Sequence, residues 1–425
     1  MHLLFLYVGL PLGGIETLLV RLSTAMQRSG ARVSVLLATR RADPGLLAEL
    51  RQHASVAFLD EFLPPGPWRP IHAKPLTRFV LPLNVAALRE WLGGAPDVCH
   101  APDTTSLMFA SRLATAVDLG RVTAGVYHDR EYLFEDTGNR YVDWGHSLFR
   151  ALPAENVVFF NETSVRVHEQ RFGRDFSASP VSPIGVDLDR WHGRTLGRRS
   201  DRVISIGRLT PFKTYNTHMI DTIARLKATG LPLRYEIYGT GECEEALRQQ
   251  IVRLGVEDLI SLKGAIAYEH IQDVLAGALA FVGSGTALIE ASAAGVPAIV
   301  GIEHVEDATT YGFLHQLTGL SYHDQGLPFT TTTFDDCLRS LYEGSDAAYE
   351  DVARRAVHRA EDFSLARTTR AFLKLMSPAG ARAFQFPKLG IPGWVCLNAS
   401  MVTLIWRSRR GHAKFFARHS NVDVR

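Results

Sequence analysis

Two cations, Arg208 and Lys213, stand five positions apart at the end of the run Val203-Ile204-Ser205-Ile206-Gly207. A β-rich apolar run that stops at a glycine and precedes a helical pattern puts them at the carboxyl end of a strand. Open α/β sheets bind their ligands there. Arginine offers phosphate oxygens a planar fork and lysine a point charge. The chemistry this suits is recognition of an anion with more than one phosphate. A solvated strand end has the same composition, so the pair gains weight only from a second motif. That motif is Gly283-Ser284-Gly285-Thr286-Ala287-Leu288-Ile289-Glu290, between the apolar stretch 278–282 and the break Gly295-Val296-Pro297. Small residues let backbone amides come close to a ligand. Free N–H groups at a helix start suit phosphate oxygens. Glu290 can accept hydrogen bonds from a ribose diol, as acids do in nucleotide folds, and it also reads as a partner of the helix dipole.

Further candidates follow the ends of other apolar runs. Gly13-Gly14 comes after the first of them and opens a helix, so its backbone can touch a phosphate or a sugar. It also reads as a tight turn. His128 follows another run, flanked by Asp129, Arg130 and Glu131. An imidazole there can bond a sugar hydroxyl or handle a proton near neutrality. It also reads as a loop histidine bonded to backbone. His100 reads as packing. Gly239-Thr240-Gly241 begins a truncated dinucleotide fingerprint, but Glu244 occupies the place of its third glycine. That argues against a nicotinamide cofactor and leaves the segment as one wall of a nucleotide pocket. Asp187-Leu188-Asp189 has the form of a metal-binding pair, but it lies just past a proline-rich linker and reads as a hinge turn. No metal and no cofactor are expected.

The elements that must position these residues are short strands alternating with helices. Candidate strands are 3–8, 33–38, 98–101, 121–127 and 156–160, then 203–206, 235–238, 260–262, 278–282 and 298–300. Such alternation predicts doubly wound parallel sheets. A first helix is expected from about Ile15 to Ser29, stopped by Gly30. At 425 residues the chain exceeds one core. Pro180-Val181-Ser182-Pro183-Ile184-Gly185 is the expected linker, giving domains 1–180 and 181–376 and a tail 377–425. Phe62–Pro70 is expected to be an exposed loop. A formal net charge of +2 argues against nucleic acid as a partner. Four scattered cysteines without a CxxC pair suit a reducing, cytoplasmic setting. The first residues read as a buried strand, not a signal peptide.

Several of these segments, in order, resemble GT-B glycosyltransferases of the large retaining class called family 4. Gly13-Gly14-Ile15-Glu16 resembles its glycine loop. Pro96-Asp97-Val98-Cys99-His100-Ala101 resembles "PDVVHAH", and Val126-Tyr127-His128-Asp129 its "HD" segment. Ile184-Gly185-Val186-Asp187 resembles the "NGVD" hinge. Ile206-Gly207-Arg208 with Lys213 resembles "VGRL…K", Tyr238-Gly239-Thr240-Gly241 "GDG", and Glu290 onward "LEAMAAGVPVV". Two positions depart from the pattern. Val282 stands where the family has an acid, eight residues before Glu290, and Ile184 replaces the hinge asparagine.

The resemblance implies two Rossmann-like domains facing across a cleft, and transfer of a sugar from a UDP- or GDP-sugar to a glycan or lipid-linked acceptor with retention of configuration. It implies that Arg208 and Lys213 meet the departing diphosphate, Glu290 the ribose, and His128 the donor sugar. Gly13, Gly14, Gly239, Gly241, Gly264, Gly285, Thr286 and Ala287 would line the donor site. It points to synthesis of a cell-surface polysaccharide or glycoconjugate. A sugar-nucleotide epimerase or hydrolase of the same fold, or an inactive partner subunit, are the alternatives. The tail is basic: eight Lys or Arg against Asp423 alone over 378–425. It is expected either to lie on an anionic membrane surface, making the protein peripheral to the inner face, or to pack back on the first domain.

Overall fold

A computed structural model describes residues 1–11, 13–64, 82–128, 131–134, 138–191 and 200–409. Most of the proline-rich loop, Asp129, Arg130 and the end of the basic tail lie outside them.

The chain divides into two compact units, Met1–Gly185 with Leu365–Arg425, and Val186–Ser364. The first contains strands β1 (His2–Tyr7), β2 (Arg32–Leu37), β3 (Ser55–Phe58), β4 (Val98–Ala101), β5 (Arg121–Val126) and β6 (Val157–Phe159). All pair in parallel, in the order β3-β2-β1-β4-β5-β6. Helices α1 (Gly14–Arg28), α2 (Pro44–His53), α3 (Val85–Leu92), α4 (Thr104–Leu113), α5 (Arg140–Ala151) and α6 (Glu162–Phe172) accompany it. Every residue of β1 is buried. A strand covered on both faces reads as an unbroken apolar run, which is why His2-Leu3-Leu4-Phe5-Leu6-Tyr7 was legible without alternation.

The second unit repeats the plan with β7 (Arg202–Ile206), β8 (Arg234–Tyr238), β9 (Ile260–Gly264), β10 (Ala280–Gly283) and β11 (Ala298–Val300), in the order β11-β10-β7-β8-β9. Helices α7 (Tyr215–Ala228), α8 (Glu244–Leu254), α9 (Ile271–Leu275), α10 (Thr286–Ala293), α11 (Phe334–Glu343) and α12 (Asp346–Ala360) complete it, with a short hairpin of β12 (Thr309–Thr310) and β13 (Thr332–Thr333). Both sheets follow the doubly wound dinucleotide-fold order. Each therefore reverses direction once, between β1 and β4 and between β7 and β10, and a ligand crevice opens at the carboxyl ends of those pairs.

One strand was not anticipated, and two expectations are corrected. The edge strand β3 follows α2 directly and is only four residues long, so no run of its own announced it. The first unit does not end at 180. Phe159 N–H donates to Pro180 O at 3.0 Å and Ser182 N–H to Phe159 O at 2.8 Å, which adds Val181 to the edge of the first sheet. The division therefore falls after Gly185, where a Cβ would lie 2.8 Å from Leu365 Cα. Nor does the second unit run to 376. Helix α13 (Leu365–Met376) returns to the first unit, where Phe372, Leu375 and Met376 join Leu3, Phe5 and Val33 in one core. Arg121 caps its end by donating to Met376 O at 2.6 Å.

The described part of the tail packs against the first unit. Helix α14 (Ile391–Arg409) buries Trp394, Leu397 and Met401 in the core that holds Phe149 and Tyr132. Its Trp394 ring meets Trp144 of α5 edge-on at 6.2 Å. Asn139, which caps α5, donates to Ser400 O at 2.9 Å.

Candidate functional site

In the second unit the two sequence motifs meet at the β7/β10 switch point. Gly207 directly follows β7 with φ +156°, and a Cβ there would lie 2.9 Å from Lys213 Nζ. The ammonium is thus folded back over the strand mouth. The turn that returns it is closed by Lys213 N–H to Thr210 O, 3.0 Å. Arg208 is exposed beside it. Neighbouring parallel strands lie about 5 Å apart, so the loop after β10 begins next to this turn. That loop leads through Gly285, at φ +66°, into α10, whose first residues are Thr286 and Ala287. No side chain caps α10, and a Cβ on Gly285 would meet nothing within 4 Å. A helix start and two cations therefore share one sheet edge, an arrangement suited to phosphate.

Glu290 projects from the second turn of α10 and is buried, with its Oε1 accepting from Tyr268 Oη at 2.8 Å. The Arg190 guanidinium lies over the Tyr268 ring at 4.4 Å. The carboxylate is therefore held by an aromatic that sequence reasoning had not singled out. Gly239 and Gly241 have a backbone task. A Cβ on Gly239 would lie 1.9 Å from Gly207 O, and one on Gly241 2.2 Å from Leu209 O. Their absence lets the loops after β7 and β8 nest, with Leu209 N–H donating to Thr240 O at 3.0 Å. Gly264 O accepts from Gly239 N–H at 2.7 Å and extends the same nest. In the formal metal-binding pair, Asp187 Oδ1 accepts from Asp189 N–H at 3.2 Å, a local turn.

Val282 is fully buried among Val203, Tyr215, Met219 and Ile299. Another carboxylate reaches this edge. Glu303, from the loop after β11, accepts from Ser284 Oγ at 2.6 Å. Its neighbour His304 donates its N–H to Phe212 O at 2.8 Å, tying that loop to the Arg208–Lys213 turn. No motif marked Glu303, because only the order of β10 and β11 brings it there.

The switch point of the first unit gathers a second set. Gly13, extended at φ −172°, caps α1, and Gly14 is its first residue. His128 is exposed after β5. Glu131 pins its loop: the carboxylate accepts from Thr104 N–H at 2.8 Å and from the Thr104 hydroxyl, while its carbonyl meets His168 Nε2 at 2.7 Å. Asp103 caps α4, accepting from Ser106 N–H at 2.7 Å. Tyr7 Oη donates to the buried Glu16 at 2.9 Å. Glu16, Asp103 and Glu131 went unassigned in the sequence, since each comes from a different part of the chain: the first turn of α1, the N-cap of α4 and the loop after β5. His100 is core: its ring nitrogens meet Thr123 Oγ1 and Tyr127 Oη, both at 2.9 Å, and burial lowers its pKa to about 3.

Burial, and then the nearby Asp103 carboxylate, raise Glu131 to about 7, against the opposing bonds from Thr104. Its folded pKa thus exceeds its unfolded value, so the folded state holds the extra proton between those two values. Stability from this group is full below the unfolded pKa and is lost as pH rises toward 7. Glu131→Gln keeps an acceptor for Thr104 without the charge. Its melting temperature is expected to lack the decline that the parent shows between pH 5 and 7.5. Equal slopes in the two proteins would rule this out.

Residues 12–190 match the family described as Glycosyltransferase Family 4, and residues 195–304 match Glycosyl transferases group 1. The chain belongs to these glycosyltransferases. Among curated relatives, the putative colanic acid biosynthesis glycosyltransferase WcaL of Escherichia coli is 29% identical over 163 residues, 34% of this chain and 40% of the relative. The UDP-N-acetylglucosamine–peptide N-acetylglucosaminyltransferase GtfA subunit of Streptococcus gordonii is 24% identical over 269 residues, 59% of this chain and 51% of the relative. The matches thus span about half or less of each relative's length. Among solved structures, Anabaena HepE in complex with UDP and glucose superposes with a TM-score of 0.61 at 17% identity, covering 88% of this chain and 99% of that one. The lipopolysaccharide outer core galactosyltransferase WaaB does so with 0.56 at 14%, covering 88% and 98%. The fold is accordingly GT-B, with two Rossmann-like units.

Proposed function

We propose that this protein transfers a sugar from a nucleoside diphosphate donor to a glycan or lipid-linked acceptor, with retention of configuration, in polysaccharide or glycoconjugate synthesis. The observation that carries the reading is the Lys213 ammonium folded against Gly207 beside Arg208, on the sheet edge where α10 begins. Arg208 and Lys213 neutralise the charge that grows on the diphosphate as the glycosidic bond breaks, the role a metal would otherwise take. Positive groups aimed in advance at developing charge are often the largest catalytic contribution. Glu290, oriented by Tyr268, takes the ribose hydroxyls. Gly285, Thr286 and Ala287 present backbone N–H groups to the phosphates. Gly13, Gly14 and His128 serve the sugar and acceptor. Support for a UDP donor comes from HepE, solved with UDP and glucose, and support for polysaccharide synthesis from WcaL.

The test is thermal shift with UDP, GDP and ADP, alone and sugar-linked, followed by transfer and acceptor-free assays with the nucleotide that binds. A ligand at ~100 times its Kd adds about 2.7 kcal/mol to stability. One nucleotide is expected to raise the melting point clearly above the others. No shift with any of them would overturn the reading, and turnover without acceptor would favour an epimerase or hydrolase.

A further inference from the structure

Helix α14 has two faces of different fate. Trp394, Leu397, Asn398 and Met401 are buried in the first unit. Ile391, Val395, Val402 and Trp406 are 78%, 54%, 41% and 52% exposed. At about 100° per residue, their spacing of four, seven and four returns all of them to one narrow stripe. Among the described residues nine large apolar side chains are exposed, and four belong to this stripe. Single exposed apolar residues are ordinary, whereas a continuous stripe of them marks an interaction surface.

Charge decides what covers it. No residue between Lys388 and Arg407 is charged. Arg407, Arg409, Arg410, Lys414 and Arg418 then follow, and no acid occurs between Asp362 and Asp423. A second copy of this chain offers this basic sequence no acid to pair with, and a parallel stripe-to-stripe pair would set like charges side by side. An anionic lipid surface accepts both features: apolar side chains enter the headgroup boundary while cations meet the phosphates. On such a surface the helix would lie flat, because its other face is core and no described helix is long and apolar enough to span.

We propose that the Ile391–Trp406 stripe of α14 docks the protein on an anionic bilayer. The proposal goes beyond the transferase reading and stands or falls independently of it, since vesicle binding needs no donor. The test is sedimentation of the full chain with phosphatidylcholine vesicles, with and without phosphatidylglycerol. The parent is expected to bind the anionic vesicles and to release as salt rises. The pair Val395→Glu with Val402→Glu should weaken binding about ten-fold or more. A control pair at other exposed sites, Val167→Glu with Val252→Glu, should bind as the parent does. If the first pair lowers the melting temperature, Val395→Ser with Val402→Ser is read in its place. Undiminished binding in the stripe variants would overturn the proposal. So would a parent that ignores vesicles but forms dimers which the stripe substitutions dissolve.

Discussion

Replacing Arg208 or Lys213 with alanine is expected to lower turnover by about 10²–10³-fold, the usual loss when one preorganised electrostatic contact is removed. Arg208 is exposed and Lys213 half-buried, so neither change removes core. Melting temperature without ligand should stay near that of the parent. The two effects should differ in kind. Arg208 supplies a fork that can grip two phosphate oxygens, so Arg208→Lys should restore little. The Lys213 ammonium is a point charge placed by the Thr210–Lys213 turn, and Lys213→Arg must force a larger group against Gly207. Single-turnover rates with saturating donor separate loss of binding from loss of chemistry. Near-parental rates in both alanine variants, with the fold intact, would remove these residues from the reaction.

The second large effect is on stability. The family pattern that the sequence resembles has an acid where this chain has Val282, so Val282→Glu suggests itself as an experiment in donor specificity. The tertiary structure argues for a different outcome. Val282 is fully buried among aliphatic and aromatic side chains, and its carbonyl already accepts from Ser205 Oγ at 2.6 Å. A carboxylate there would replace an apolar side chain inside that cluster. An uncompensated buried charge costs about 3–5 kcal/mol, out of a total that is typically about 5–15 kcal/mol. Val282→Glu is therefore expected to melt roughly 10 °C or more below the parent, at about 2–4 °C per kcal/mol for a unit of this size. A melting point within about 2 °C of the parent would show that the side chain reaches solvent or ligand, and would return this position to the donor site. A carboxylate does stand at this sheet edge, that of Glu303, which accepts from Ser284 Oγ at 2.6 Å.

Much of the architecture was legible because it is written locally. A strand buried on both faces must be an apolar run, and a helix after it needs a glycine-tolerant turn. Those needs exposed β1, β7 and β10, and with them Gly13-Gly14, Arg208 and the approach to Glu290. The helix stop at Gly30 is of the same kind: φ is +82° there, a conformation glycine adopts without steric cost. The auxiliary groups of the site were not legible. Tyr268 meets a carboxylate 22 residues away, and Glu131 meets a helix start 27 residues away, with nothing in the spacing to link either pair.

By itself, then, the sequence determined the alternation of strands and helices, the two cations at a strand mouth, the small residues opening α10, and an uncharged segment followed by a basic one near the end. Each is a property of a few adjacent residues, set by side-chain period and backbone freedom. Only the tertiary structure decided that α13 returns to the first unit, that one face of α14 is core and the other is not, that Val282 is enclosed, and that Glu303 and Lys213 sit at one switch point. These depend on strand order and helix docking. They are contacts between residues far apart in the chain, whose free energy comes from apolar area buried jointly by segments that carry no mark of one another.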